Sequence, residues 1–311
     1  MRLIFCGTPQ FAVPSLQELI ARPDFEILAV VTQPDRPKGR GNEISFSPVK
    51  QAALGAGIAI HQPQKIRAPE FQSTLQSLAP DVIVIIAYGQ IIPARLLTIP
   101  KLGWINLHAS LLPKYRGAAP INWAIVNGET TTGLTTMRID AGMDTGDMLL
   151  QEELSIGPKE TASQLAARMS ETGAALMLKT LRGLSSGTIA PRSQNHQAAT
   201  YAPLLKKEDG RIDWRCGARA IHDLVRAVAP PFPGAFTEVN GCRLAVLETR
   251  VDTDPLKYPA QSPCLYSSDG TWYADCIDGR RLKILQLTAN GEPVAENTLP
   301  RALAHQPLAL A

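Results

Sequence analysis

The chain has 311 residues, 45% of them hydrophobic and only 5% aromatic, with a formal net charge of +3. That length predicts two domains, or one large domain with an appendage. The charge divides as +2 before Ala190 and +1 from there on, so neither half is a basic slab, and a nucleic acid would have to be met by local patches.

The five cysteines, Cys6, Cys216, Cys242, Cys264 and Cys276, are odd in number and widely spaced. No CxxC occurs, so neither a disulfide frame nor a zinc site is indicated. The chain opens on a core strand rather than a basic-then-apolar leader, and its apolar stretches fall far short of the roughly 20 residues that span a bilayer. The expectation is a reduced, cytoplasmic protein with no membrane partner and no metal.

In chain order, "RLIFCG" predicts a buried first strand ending at Gly7. "FAVPSLQELIARPD" spaces Phe11, Leu16, Leu19 and Ile20 at helical intervals. "EILAVVTQP" is a second strand, followed by a polar loop and a helix over "SPVKQAALGAG". "IAIHQP" and "DVIVIIAYG" are further strands, the latter almost purely β-branched, as expected when both faces of a sheet are covered. "GWINLHA" and "TGLTTMRI" are two more. Strands alternating with helices predict an α/β fold with a doubly wound, mostly parallel, Rossmann-like sheet. The amphipathic helix "TASQLAARMSETGAALMLKTLRGL" closes a first domain of residues 1–189.

Residues 190–206 are polar and punctuated, the texture of a linker. Residues 207–311 bring a short helix, "CGARAIHDLVRAV", and then "GAFTEV", "CRLAVLETRV", "PCLYSS", "TWYADCI" and "RLKILQLT". Short strands divided by Gly, Pro, Asp and Asn predict a small, OB-like β-barrel.

The first strand leads into "GTPQFAVP", where a dinucleotide fingerprint would need G-x-G-x-x-G. Only Gly7 is present, and no G-x-x-x-x-G-K-[ST] exists elsewhere. The ligand of the sheet is therefore neither a dinucleotide nor a P-loop nucleotide. In open sheets ligands sit at the carboxyl ends of the strands, and "AYGQI", "NLHAS" and "IDAGMDTG" are each read as lying just past a strand end.

Asn106 and His108 are two apart in an extended stretch, hence on one side of it. An Asn amide can donate to a developing oxyanion, and a His can move protons near neutral pH. Asp144 could orient the imidazole, with Asp140 and Asp147 as rivals for that place. No protein nucleophile is evident: Ser110 lacks a G-x-S-x-G elbow, and Cys6 sits inside a strand. Amide, imidazole and carboxylate without a nucleophile suit direct attack of an amine on another substrate's carbonyl. The plainer readings are a hydrogen-bonded loop histidine and an asparagine capping a turn.

"INLHASLLPKYRGAAPINWAI" with "GLTTMRIDAGMDTGDML" resembles the 10-formyltetrahydrofolate-dependent formyltransferases. "GTPQFAVPSL" and "TQPDRPKGRG" place the resemblance in the branch that acts on tRNA, and it extends to "YAPLLKKEDGRIDW". The resemblance implies formyl transfer from 10-formyltetrahydrofolate to the α-amine of methionine on initiator Met-tRNA, by a monomer. It assigns catalysis to Asn106, His108 and Asp144. The folate would lie along Ser110, Leu111, Leu112 and Pro113, with its pterin edge read around Tyr88, Gly89, Gln90 and Ile91 and around Asp140 and Gly142. Lys114 and Arg116 could face a phosphate or the folate tail. The tRNA would be met by a mobile loop carrying Arg36, Lys38 and Arg40, and by Lys206, Lys207 and Arg211. Two departures stand out. Asn42 and Glu43 follow "GRG" where the family usually has a basic pair. "VRAVAPPFPGAF" also resembles the formyltransferases that act on amino-sugar nucleotides, which makes such a sugar the alternative acceptor.

Overall fold

A computed structural model describes residues 1–38, 43–239, 241–253, 256, 263–294 and 308–309. The opening apolar run forms β1 (Arg2–Gly7). The chain then turns into α1 (Val13–Ile20), with Pro14 in its first turn, where a missing N–H costs nothing. β2 (Glu26–Val31) follows, then a short hairpin of β3 (Arg36–Lys38) and β4 (Glu43–Ser45) where the sequence predicted a mobile loop. Next come α2 (Pro48–Gly55), β5 (Ile60–His61), α3 (Pro69–Leu78), β6 (Val82–Ile86), α4 (Ala94–Leu97) and β7 (Trp104–His108). α5 (Pro120–Val126), β8 (Thr131–Arg138), β9 (Met148–Ser155) and the long α6 (Ala162–Ser186) complete this run.

Two compact units result. The first comprises Met1–Gly117, Thr132–Leu154 and Ala166–Ala202, and the second Ala118–Thr131, Ser155–Leu165 and Pro203–Ala311. The segment expected as a linker, 190–206, is built into the first unit as far as Ala202. Arg192 exchanges backbone hydrogen bonds with Met148, and the Ala202 N–H donates to the Arg116 carbonyl.

In the first unit the seven-stranded sheet runs β5-β2-β1-β6-β7-β8-β9. β5, β2, β1, β6 and β7 pair in parallel, and β7 pairs β8 antiparallel. The strand order reverses between β1 and β6, the position at which open α/β sheets bind ligands. β6 is buried throughout, as its β-branched run predicted. Leu107 alternates to the opposite face from Asn106 and His108. A side chain at Gly173 of α6 would place its Cβ 2.5 Å from the Leu107 Cδ2, so any larger residue there would push the Leu107 side chain aside.

In the second unit α7 (Ala218–Ala227) packs on an antiparallel sheet. Its strands are β10 (Ala235–Val239), β11 (Cys242–Asp252), β12 (Cys264–Ser268), β13 (Thr271–Asp275), β14 (Arg281–Ala289), β15 (Glu292–Pro293) and β16 (Leu308–Ala309). The order is β10-β11-β14-β13-β12-β16, with β15 on β14. The register of β11 on β14 slips on either side of Glu248, and such bulges bend a strand. That bend curls the sheet around a core containing Trp214, Ile221, Leu244, Leu282 and Ile284, the small β-domain the short strands predicted.

Candidate active site

Asn106 and His108 project from the last residues of β7. Asn106 stands opposite Ile85 of β6 and Met137 of β8, and its carboxamide has no hydrogen-bond partner among the described residues. A half-buried amide left unspent in a sheet core is suited to a ligand oxygen.

His108 is 5% exposed. Its Nε2 lies 2.8 Å from the Tyr115 carbonyl. A carbonyl only accepts, so Nε2 carries the proton and Nδ1 holds the lone pair of the neutral ring. Nδ1 faces the Asp144 Oδ2 at 3.6 Å, too long for a hydrogen bond, with the carboxylate set beside the unprotonated nitrogen.

Asp144 Oδ2 instead accepts the Gly117 N–H at 2.8 Å. Gly117 has φ +116°, and a Cβ there would sit 2.7 Å from the Ala202 carbonyl oxygen, so this donor needs glycine. Asp144 is itself left-handed, φ +53°, at a cost of roughly 1–2 kcal/mol that aspartate bears better than most. Its two rivals are spent elsewhere. Asp140 Oδ1 binds its own loop through the Gly142 N–H (3.0 Å) and the Thr145 hydroxyl (2.7 Å), and Asp147 accepts from Ser193 (2.9 Å).

The loop bearing Asp144 follows β8, as expected, but it does not start at the same edge of the sheet as the carboxyl end of β7. β8 is antiparallel, and Arg138 lies beside Ile105. The loop therefore starts near the beginning of β7 and doubles back about 10 Å, three residues of strand, to reach His108. Nothing in side-chain periodicity encodes strand direction, so this return was not legible in the sequence.

The residues assigned to folate divide by what their side chains already do. The Ser110 hydroxyl donates to the Lys114 carbonyl (2.6 Å), and Leu112 is buried with Met137 and Met148. Thr135 and Gln151 hold the backbone here: the Thr135 hydroxyl donates to the Ser110 carbonyl (2.7 Å) and Gln151 to the Leu112 carbonyl (3.0 Å). Leu111 and Pro113 remain half-buried. Tyr88 is a core residue, its phenol shifted upward by burial, and its carbonyl accepts from Thr8 and Gln33. Gln90 locks the Ile66 N–H at 2.8 Å. Gly89 and Ile91 are exposed, Ile91 at 92%. A cavity of about 510 Å³ opens at the strand-order reversal, lined by Thr8, Gln33, Arg36, Phe46, Tyr88 and Gly89.

Arg116, expected to face a phosphate or the folate tail, is 2% exposed. Its guanidinium binds Gln194 Oε1 (2.7 and 3.1 Å) and His196 Nδ1 (3.1 Å). Burial removes it from any solvent-side role. Cys6 is fully buried, which raises its thiol pKa, so it offers no thiolate at neutral pH. Among the described residues no cluster of His, Cys, Asp and Glu could hold a metal, and no helix is long and apolar enough to cross a membrane.

Of the basic residues assigned to tRNA, Arg36 is exposed in β3, and Lys38 ends that strand. Arg40 lies outside the described residues. Lys206 and Lys207 are exposed, whereas Arg211 is ion-paired with Glu238 at 2.9 Å.

Residues 1–181 match the formyl transferase family and residues 204–297 the formyl transferase C-terminal domain, which sets the class of the protein. The methionyl-tRNA formyltransferase of Pelobacter propionicus is 49% identical over 308 residues, 96% of this chain and 95% of the relative. That of Acidobacterium capsulatum is 48% identical over 297 residues, 94% and 93%. The chain belongs to the methionyl-tRNA formyltransferase family. Among solved structures, an N-formyltransferase from Helicobacter canadensis, in complex with folinic acid and dTDP-3-aminofucose, superposes with a TM-score of 0.69. It covers 91% of this chain and 98% of its own at 21% identity, a likeness of fold alone.

Proposed function

We infer that the chain transfers a formyl group from 10-formyltetrahydrofolate to the α-amino group of methionine on initiator Met-tRNA. The observation that carries the chemistry is the unspent Asn106 carboxamide two residues from a histidine whose tautomer is fixed by the backbone. The relatives, alike at 48–49% identity over nearly their whole lengths, carry the choice of acceptor.

The residues fit a folate-type donor. Leu111 and Pro113 offer half-open apolar surface, and Gly89 offers exposed backbone for a flat heterocycle. When bound, the donor supplies an activated formyl carbon. Asn106 Nδ2 donates to the formyl oxygen as that oxygen gains charge, a contribution of roughly 10²–10³-fold. His108 Nδ1, the unprotonated nitrogen, would take a proton from the amine as its nitrogen bonds to the formyl carbon, and would pass that proton to the donor's departing nitrogen as the donor's formyl C–N bond breaks; Asp144 would stabilise the imidazolium in between, and such general acid–base help amounts to roughly 10²–10⁴-fold. Arg36, Lys38 and Arg40, with Lys206, Lys207 and Arg211, serve as the tRNA-facing cations.

The test is to supply 10-formyltetrahydrofolate with charged initiator tRNA, charged elongator tRNA or an amino-sugar nucleotide, and to identify the formylated product. N-formylmethionine from the initiator alone is expected. A formylated sugar with an unmodified initiator would replace the tRNA by the sugar as acceptor.

A further inference from the structure

We propose that Gln194 and Thr200, in a segment whose composition reads as a linker, are positioning residues that hold the His108–Asp144 pair in register. The proposal rests on the roles given above to those two side chains. The tripeptide of Tyr115, Arg116 and Gly117 touches both: the Tyr115 carbonyl accepts a hydrogen bond from the His108 Nε2–H, and the Gly117 N–H donates to Asp144 Oδ2. That tripeptide is in turn fastened to residues 194–202. The Tyr115 N–H donates to the Thr200 hydroxyl (2.8 Å), and the Arg116 N–H to the Thr200 carbonyl (2.8 Å).

Gln194 closes the circuit from the other side. It is 5% exposed, and its Nε2 donates to the carbonyls of Asp144 (2.8 Å), the left-handed residue, and of Gly146 (2.7 Å), two residues further on. Its Oε1 accepts both Nε and Nη2 of buried Arg116. One amide therefore clamps the returning loop with its donors and the tripeptide with its acceptor. A loop that doubles back over a strand has no ladder to hold it, so a side-chain clamp of this kind sets where the carboxylate stops.

The two ends of the amide can be separated by substitution. Gln194→Glu keeps oxygens for Arg116 but loses both donors to the loop. If Gln194 only satisfies Arg116, this variant works as well as the wild type. If it positions Asp144, kcat falls about tenfold or more, while KM for donor and acceptor stays within twofold and the melting temperature holds. The second pair reads the His108 side without a change of charge. Thr200→Val orphans the Tyr115 N–H, and Thr200→Ser restores its acceptor. Loss of kcat in the valine variant with recovery in the serine variant is expected, together with altered ¹⁵N shifts of the His108 ring in the valine variant only. A kcat within twofold of wild type in both Gln194→Glu and Thr200→Val, with His108 shifts unchanged, would overturn the proposal. Wild-type protein that transfers no formyl group would instead strike at the reading of the site, because the His108 shifts report the clamp whether or not turnover occurs.

Discussion

At His108 the two ring nitrogens do separate work, and that division sets what single substitutions do. Nε2 is fixed by the backbone, so the carboxylate beside Nδ1 is needed for its charge rather than to choose the tautomer. Asp144→Asn keeps an oxygen for the Gly117 N–H and removes the charge. A fall in kcat of roughly 10²-fold is expected, with the melting temperature unchanged within about 2 °C; steady-state kinetics and thermal denaturation check the two halves. That Asn106 and His108 share one face of a strand was legible from their period-two spacing. Asp144 was not separable from Asp140 and Asp147, since three aspartates in one glycine-rich loop look alike until their partners are known. Gln194 and Thr200 gave no signal at all: they act through backbone groups distant in sequence.

At the scale of elements, apolar patterning located most strands and the long α6, whereas α3 was invisible because only Phe71, Leu75 and Leu78 mark its inner face among polar residues. The hairpin of β3 and β4 was read as loop because Pro37 and its charged neighbours carry no strand pattern. It is anchored at its base by a network the sequence does not show. Lys50 pairs with Asp35, Gln62 donates to Asp35 Oδ1 (2.9 Å) and to the Gln33 carbonyl (2.9 Å), and Lys50 lies 4.0 Å over the Phe46 ring. Beside it Ser47 caps α2, accepting the Lys50 N–H at 3.1 Å and sharing a hydrogen bond with Thr32 at 2.8 Å. Ser47→Ala removes the cap and should cost about 1 kcal/mol, read as a lowered urea midpoint at unchanged slope.

For the whole molecule, loss of stability in acid has an identifiable source in the second unit. His222 is buried, with Nε2 donating to the Pro158 carbonyl (3.1 Å) and Nδ1 3.0 Å from the Thr249 hydroxyl. Burial lowers its pKa below the ordinary 6.5, so the folded chain binds this proton less readily than the unfolded one. Its contribution is fully present above about pH 6.5 and is lost as pH falls below that value. Denaturant midpoints measured from pH 7.5 down to 5 should decline, and His222→Gln should flatten that decline.

The division of the chain into two units was visible as a change of texture near Gly187. Its course was not, because residues 118–131 and 155–165 join the second unit from inside the first half.

The proposed role of Asn106 is to act on the formyl oxygen of a donor that other residues bind. Single-turnover formyl transfer to initiator Met-tRNA by the wild type and by Asn106→Ala, alongside donor affinity measured by calorimetry, tests it most directly. A rate lower by roughly 10²–10³-fold, with donor affinity within twofold, is expected of the variant. An unchanged rate, or a loss confined to donor binding, would contradict it.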